Sequence, residues 1–215
     1  MMQSRIPQSS QSGPHRRLDE TVLRHLRHHW RSPVHDYSRG AFAELAEWID
    51  SERPLVLDSG CGTGASTKAL AARHPDCRVI GVDKSAARLG RAPELPDNAR
   101  LIRADLPDLW RLMGERGRRV AHHYLLYPNP WPKAVHLMRR WHGHPVFPDL
   151  LALAGRLVLR SNHALYIEEF ARALSLAGVI DVKVVSFETD DPVSPFERKY
   201  LASGHRLFQL TAELE

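Results

Sequence analysis

A buried strand that runs directly into a glycine-rich loop constrains this chain more than any other feature. Residues 55–64 read Leu-Val-Leu-Asp-Ser-Gly-Cys-Gly-Thr-Gly, with glycine at every second position of the loop. Glycine has no Cβ and tolerates positive φ, so Gly60, Gly62 and Gly64 allow a sharp turn and a close approach of bare backbone to a ligand. The pattern predicts a nucleoside-binding loop at the start of a helix.

The rest of the chain continues this alternation of strand and helix. Strands are predicted at 54–58, 78–82, 100–104, 119–126, 156–160, 181–187 and near 206–212. Helices are predicted at 18–30, 40–49, 64–73, 84–91, 106–113, near 147–153 and at 164–176. Such alternation is typical of an α/β fold with a mostly parallel sheet and helices on both faces. We expect no helix in residues 188–205, so the last two strands form an antiparallel pair at one sheet edge.

The length of 215 residues is typical of one domain with a short extension. We place a single domain at residues 18–215, with two helices before the first strand. Residues 1–17 are rich in Gln, Ser, Pro and Arg without apolar periodicity, which predicts a flexible basic tail. Cys61 and Cys77 form no metal or disulfide spacing, and no apolar run is long enough to cross a membrane. The sequence therefore predicts a cytoplasmic protein without a metal site.

Three acidic residues follow three successive predicted strands. Asp58 ends the first strand, Asp83 ends the second and Asp105 follows the third. Because the carboxyl ends of parallel strands share one edge, these side chains are expected near the glycine loop. Asp83 can accept hydrogen bonds from both hydroxyls of a ribose, and Asp105 from an adenine amino group. Taken singly, Asp83 and Asp105 also fit ordinary helix N-caps.

The glycines alone do not identify the nucleoside. Gly60, Gly62 and Ala65 also satisfy the G-x-G-x-x-A pattern of dinucleotide-binding proteins. Asp58 stands directly before the loop, where a carboxylate repels a pyrophosphate but attracts the ammonium or sulfonium of S-adenosylmethionine. The acidic residue therefore favours S-adenosylmethionine over a dinucleotide.

Two further segments carry a resemblance to a known family. One is Tyr127-Pro128-Asn129-Pro130-Trp131-Pro132-Lys133, with His136 and Arg139-Arg140 after it, and the other is Ser194-Pro195-Phe196-Glu197-Arg198, with Gly204-His205 after it. In these segments the chain resembles the bacterial tRNA (guanine-N7)-methyltransferases, over about residues 54–210. The resemblance implies a class I methyltransferase fold, which is Rossmann-like, with S-adenosylmethionine as cofactor and tRNA as partner.

The resemblance also implies roles for individual residues. Asn129 would be catalytic, and the cofactor would be held by Asp58, Gly60, Gly62, Gly64, Asp83, Asp105 and Asn129. The target nucleotide would be bound by Lys133, Asn162, Ser194, Glu197 and Arg198. The chain departs from the family pattern at two of these positions, because Asn129 and Asn162 stand where the family has aspartate.

These two amides leave alternatives open. Guanine N7 has a lone pair and no proton, so its methylation needs in-line placement more than a general base. Asn129 can position an acceptor, although it lacks the charge that stabilises a cationic methylated purine. Residues 129–132 are also similar to the Asn-Pro-Pro-aromatic motif of amino-group methyltransferases. The alternatives are a methyltransferase for another acceptor and a catalytically weak relative that binds RNA or cofactor.

Positive charge is concentrated in a few places. The formal net charge is +5, and residues 1–31 contain six arginines against two acidic residues. Arg139 and Arg140 follow closely on Trp131 and Lys133. Basic residues beside aromatic ones are typical of proteins with a phosphate-rich partner. We therefore expect the basic N-terminal arm, Lys133, Arg139 and Arg140 to contact phosphates of tRNA.

Overall fold

A computed structural model describes residues 4–5, 9–50 and 52–215. Within them, seven strands form one sheet: β1 (Leu55–Ser59), β2 (Arg78–Asp83), β3 (Ala99–Arg103), β4 (His122–Leu126), β5 (Gly155–Ser161), β6 (Val182–Phe187) and β7 (Leu207–Leu214). The helices are α1 (Leu18–Arg27), α2 (Asp36–Ile49), α3 (Ala65–Arg73), α4 (Ala86–Leu89), α5 (Leu106–Glu115), α6 (Phe147–Ala152), α7 (Ala164–Leu176) and α8 (Pro195–Ala202). Two 3-10 helices, Ala134–Arg139 and Trp141–Gly143, lie between β4 and α6.

The strand order confirms the predicted α/β class. The sheet runs β3-β2-β1-β4-β5-β7-β6, with β1 to β5 parallel to one another and β7 antiparallel to both β5 and β6. The order reverses between β1 and β4, where open α/β sheets bind ligands outside the carboxyl ends of their strands. Asp58 on β1 lies opposite Gly81 on β2 and Tyr124 on β4.

The prediction that residues 188–205 contain no helix is wrong. Helix α8 begins after Ser194, whose hydroxyl accepts a hydrogen bond from the backbone N–H of Glu197 at 3.1 Å. The side chain of Glu197 turns back to accept the backbone N–H of Val193 at 2.6 Å. This arrangement is close to a capping box, and Pro195 has the fixed φ suited to the first helical position. The Ser-x-x-Glu signature was present in the sequence, but the short helix lacks a clear apolar face.

The core lies on both faces of the sheet. All five residues of β1 are buried, with Leu57 packed in the larger hydrophobic cluster and Val56 in a second one. Burial on both faces explains why this strand has a continuous apolar run rather than an alternating pattern. Helices α5 and α7 cover one face with Trp110 and Phe170, both fully buried. The sheet edge that carries the acidic residues is therefore rigidly supported.

The N-terminal segment precedes α1, which begins at Leu18 as predicted. Of the predicted flexible tail, residues 1–3 and 6–8 lie outside the described residues. Residues 9–15 contact the folded domain: the hydroxyl of Ser9 donates to the carbonyl of Pro132, and the backbone N–H of His15 donates to Glu169. The flexibility of residues 1–17 stays a prediction. None of the helices formed by the described residues has the length and apolar character needed to span a membrane.

Candidate active site

The glycine loop curls over the carboxyl end of β2. The backbone N–H groups of Gly60 and Cys61 donate to the carbonyl of Val82 at 2.8 and 3.0 Å. Gly60, Gly62 and Gly64 all have positive φ, between 62° and 85°. A Cβ on Gly64 would lie 2.6 Å from Leu101, whereas Gly60 and Gly62 face open space. The loop therefore makes the sharp turns that the sequence predicts and presents bare backbone at the carboxyl end of the sheet.

Asp58 is the most unusual side chain of this edge. It is 1% exposed, and its Oδ2 accepts hydrogen bonds from the hydroxyls of Ser66 and Thr67 at 2.6 and 2.7 Å. Its Oδ1 is buried and has no hydrogen-bond partner within the described part of the chain. Burial raises the pKa of Asp58 to about 6, although the two hydroxyls oppose this shift. A buried carboxylate oxygen without a partner favours a bound cation, which would satisfy it.

Asp83 and Asp105 lie at the ends of the next two strands. Asp83 is buried and accepts the backbone N–H groups of Gly62 and Ser85 at 3.1 and 2.8 Å, so it links the glycine loop to the start of α4. Arg88 lies 3.2 Å from the same carboxylate. Asp105 occupies the N-cap position of α5, but its side chain makes no capping hydrogen bond. Its carboxylate is half-buried, and burial raises its pKa. Within the described residues its carboxylate makes no side-chain hydrogen bond, which leaves it available to a ligand.

The loop after β4 contains two strained residues on either side of Asn129. Tyr127 and Trp131 have φ of 54° and 44°, a left-handed conformation that costs a non-glycine residue about 1–3 kcal/mol. Asn129 is exposed, and its Oδ1 accepts the backbone N–H of Trp131 at 3.1 Å. Lys133 is exposed at the end of this loop, which we call the acceptor loop (residues 129–133). Strain of this kind is a frequent sign of a functional site.

The remaining predicted acceptor residues divide into buried and exposed ones. Asn162 follows β5 and is 7% exposed, with its Nδ2 donating to Nδ1 of His205 at 2.9 Å. Ser194 caps α8, and the fully buried Glu197 accepts from Arg160 at 2.9 Å and from the hydroxyl of Tyr127 at 2.7 Å. Arg198 is exposed. Asn129, Lys133 and Arg198 are therefore exposed to solvent. The buried Asn162, Ser194 and Glu197 make hydrogen bonds inside the protein.

The expectation that Arg140 contacts phosphates is wrong. Its side chain is 2% exposed and forms an ion pair with the fully buried Glu169. The neighbouring Arg139 is exposed and places its guanidinium 4.8 Å from the ring centre of Trp131. Sequence reasoning missed Glu169, although one signal was available: it stands on the apolar face of α7, between Tyr166 and Ala173, where an acidic residue requires a buried partner.

The strand order, the glycine loop and the acidic strand ends together define a class I methyltransferase. Solved structures share this fold. The 16S rRNA methyltransferase KamB has a TM-score of 0.59 at 18% identity, covering 86% of this chain and 97% of that one. A variant of a 16S rRNA (adenine(1408)-N(1))-methyltransferase from Catenulisporales acidiphilia, solved with cosubstrate SAM, has a TM-score of 0.55 at 19% identity, covering 80% and 90%.

Sequence comparison places the chain more narrowly. The model of a family described as "Putative methyltransferase" matches residues 52–210, and the chain belongs to this family. Among curated relatives, the tRNA (guanine-N(7)-)-methyltransferase of Geobacillus thermodenitrificans is 28% identical over 84% of this chain and 87% of its own length. The protein of the same name from Leifsonia xyli subsp. xyli is 30% identical, covering 80% and 81%.

Proposed function

We propose that this methyltransferase transfers a methyl group from S-adenosylmethionine to N7 of a guanine in tRNA. The observation that carries the proposal is that Asp58, whose Oδ1 has no partner among the described residues, lies near the carboxyl end of β1, and the acceptor loop follows the neighbouring strand β4. The carboxylate of Asp58 needs a cation as a partner, and the acceptor loop carries the exposed Lys133. The names of the curated relatives support tRNA as the acceptor. A tRNA substrate also supports action in the cytoplasm.

The residues of the glycine loop fit the cofactor. Bound S-adenosylmethionine supplies the methyl group and a positive charge. Asp58 would attract that charge, while Gly60, Gly62 and Gly64 leave room for the nucleoside against the backbone. Asp83 would accept hydrogen bonds from the ribose hydroxyls, and Asp105, which makes no capping bond, would accept one from the adenine amino group. Each acidic residue thereby obtains a role that its position in the fold allows.

Asn129 favours guanine as the acceptor over an exocyclic amine. Its Oδ1 already accepts the Trp131 N–H, whereas its Nδ2 has no hydrogen-bond partner within the described residues and can donate to a substrate. Guanine presents O6, a hydrogen-bond acceptor, beside N7, whereas an amine substrate needs the side-chain oxygen instead. Guanine N7 carries no proton, so placement by Asn129 suffices without a general base. We propose Asn129 as the catalytic residue and as a contact of the cofactor.

The acceptor would be bound by exposed cations, and buried residues would hold the surrounding elements in place. Lys133 and Arg198 are exposed cations that suit phosphates. Asn162, Ser194 and Glu197 complete the proposed acceptor site by fixing His205, α8 and Tyr127 in place.

The test is a methylation assay with radiolabelled S-adenosylmethionine and tRNA from a strain without its own guanine-N7 enzyme. The labelled nucleotide is located by chemical cleavage at 7-methylguanosine. We expect label at one guanine, and we expect Lys133→Ala to lower kcat/KM. The matched control is Lys183→Ala, which removes an exposed lysine on β6.

The result separates the proposed acceptor from other acceptors. Cofactor binding by calorimetry without labelled tRNA would contradict the proposal. Label on an adenine or on an amino group would show that this group, and not guanine N7, is the methyl acceptor. If Lys183→Ala lowers kcat/KM as much as Lys133→Ala does, Lys133 has no specific role in binding the acceptor.

A further inference from the structure

Arg140 binds three separate parts of the chain with one guanidinium. Its Nε and Nη2 donate to the carbonyl of Trp131 at 3.2 and 3.1 Å, and Nη2 also donates to Oε1 of Gln11 at 2.6 Å. Its Nη1 is paired with Glu169. At 2% exposure, the group has no surface left for an external phosphate. Its partners are the acceptor loop, the N-terminal segment and α7.

Glu169 is the other half of this arrangement, and its carboxylate is fully used. Oε2 receives Arg140 and Nε2 of His142, which lies 3.0 Å away. Oε1 receives Nε2 of Gln11 at 3.1 Å and the backbone N–H of His15 at 2.8 Å. Burial raises the pKa of Glu169, but His142 and Arg140 outweigh it and bring the pKa down to about 2. Glu169 is therefore ionised at neutral pH and holds Arg140 in one orientation.

The N-terminal segment adds a second link to the acceptor loop. The hydroxyl of Ser9 donates to the carbonyl of Pro132 at 3.0 Å. A cleft of about 500 Å³ has Ser9, Gln11 and Gly13 on one side and Asn162 on the other. The segment precedes the stretch matched by the family model, which begins at residue 52. Ser9, Gln11 and Gly13 thus line a cleft together with Asn162, a residue that we assign to the acceptor site.

A buried ion pair contributes little net stability, so the Arg140–Glu169 pair requires another explanation. The strained φ of Trp131 supplies one, because Arg140 places two N–H donors on the carbonyl of that residue. Trp131 in turn donates its N–H to Asn129. We propose that Arg140, oriented by Glu169 and linked to Gln11, is a positioning residue that fixes the acceptor loop for methyl transfer. This inference rests on the proposed function, since it assigns the loop to the acceptor.

The chemistry of the side chain makes the proposal testable. Arginine has five N–H donors in a planar fork, whereas lysine has the same charge on a single nitrogen. Arg140→Lys keeps a cation beside Glu169 but cannot reach Trp131 and Gln11 together. Gln11→Ala removes the hydrogen bonds of Gln11 to Arg140 and Glu169 but leaves both charges of that pair in place. Ser10→Ala is the matched control, because Ser10 is an exposed residue of the same segment.

The experiment measures kcat with the tRNA substrate, the Kd of S-adenosylmethionine by calorimetry, and amide hydrogen exchange of a peptide spanning residues 128–137. For Arg140→Lys we expect kcat to fall about tenfold or more with a cofactor Kd within about twofold of wild type. The Trp131 amide should exchange faster, while amides of the glycine loop stay unchanged. Gln11→Ala should show the same pattern more weakly, and Ser10→Ala should match wild type.

Two results would overturn the proposal. One is a kcat within about twofold of wild type in both Arg140→Lys and Gln11→Ala. The other is a parallel loss of cofactor affinity and faster exchange throughout the chain, which would indicate general loosening. If Arg140→Lys fails to fold, the comparison of Gln11→Ala with Ser10→Ala tests the proposal instead. If wild type methylates no tRNA, the proposed function fails, and hydrogen exchange still tests the positioning of the loop.

Discussion

Tyr127 donates its hydroxyl to Glu197 at 2.7 Å, across 70 positions of the sequence. Tyr127 directly follows β4 and has a left-handed backbone conformation. Glu197 is fully buried and lies in the first turn of α8. Burial and the neighbouring carboxylate raise the pKa of Tyr127, so the hydroxyl stays protonated and remains a donor. The bond ties the strand before Asn129 to the helix that bears Arg198.

Removing this hydroxyl should destabilise the fold. We expect Tyr127→Phe to lower the free energy of unfolding by about 1–2 kcal/mol, because Glu197 loses one donor inside the protein. Urea unfolding followed by circular dichroism measures the effect, with an unchanged m value. Tyr37→Phe is the control, since Tyr37 is 37% exposed. Equal stability of the two variants would contradict this role of Tyr127.

Cofactor binding should depend on pH through Asp58. Its pKa is raised to about 6, so the free protein binds a proton there at lower pH, and this proton must leave before a cation binds. Affinity should therefore rise with pH and be about tenfold weaker at pH 5 than at pH 7. Calorimetry of S-adenosylmethionine binding at both pH values measures the difference.

The Asp58→Asn variant separates this group from other titrating residues. It should bind cofactor about tenfold or more weakly at pH 7, equivalent to about 1.4 kcal/mol, and lose most of the pH dependence. Asp97→Asn, which changes an exposed acidic residue, is the control. A pH dependence that survives in Asp58→Asn would assign the titration to another group.

Gly81 leaves the space that the side chain of Thr67 needs to reach Asp58. A Cβ at position 81 would lie 2.1 Å from the Thr67 hydroxyl, which donates to Asp58, and 2.5 Å from Leu101. We expect Gly81→Ala to lower the free energy of unfolding by about 1–3 kcal/mol and to weaken cofactor binding. The control is Gly114→Ala in α5, where a Cβ meets nothing within 4 Å. Unchanged cofactor affinity in Gly81→Ala would show that Thr67 does not set the state of Asp58.

Asn129→Asp introduces a carboxylate at the position where the family that this chain resembles has aspartate. An aspartate can still accept the Trp131 N–H, and its charge would stabilise the cationic purine formed by transfer to N7. We expect kcat for tRNA to increase by up to about tenfold, or about 1.4 kcal/mol in barrier height. Single-turnover methylation compares the variant with wild type and with Asn129→Ala. A large decrease would show that the amide donates a hydrogen bond needed for this acceptor.

The cofactor side of the site could be predicted from sequence because its acidic residues lie at, or just after, the carboxyl ends of strands. Asp58, Asp83 and Asp105 are placed by the strand ends, and strand ends follow from apolar runs and glycines. The acceptor side could not be predicted in the same way. Arg139 ends a 3-10 helix and Arg140 directly follows it, so periodicity does not tell the buried side chain from the exposed one. Their difference depends on Glu169, 29 residues from Arg140, and on Gln11, 129 residues away.

Strand β7 lies between β5 and β6, although it follows both in the chain. During synthesis on the ribosome, β5 and β6 therefore have no partner for their facing edges until residues 207–214 have emerged. His205, which accepts from Asn162, directly precedes that strand. The glycine loop and its acidic neighbours thus emerge well before β7, the strand that joins β5 to β6. Translation would therefore complete the proposed cofactor side of the site before the proposed acceptor side.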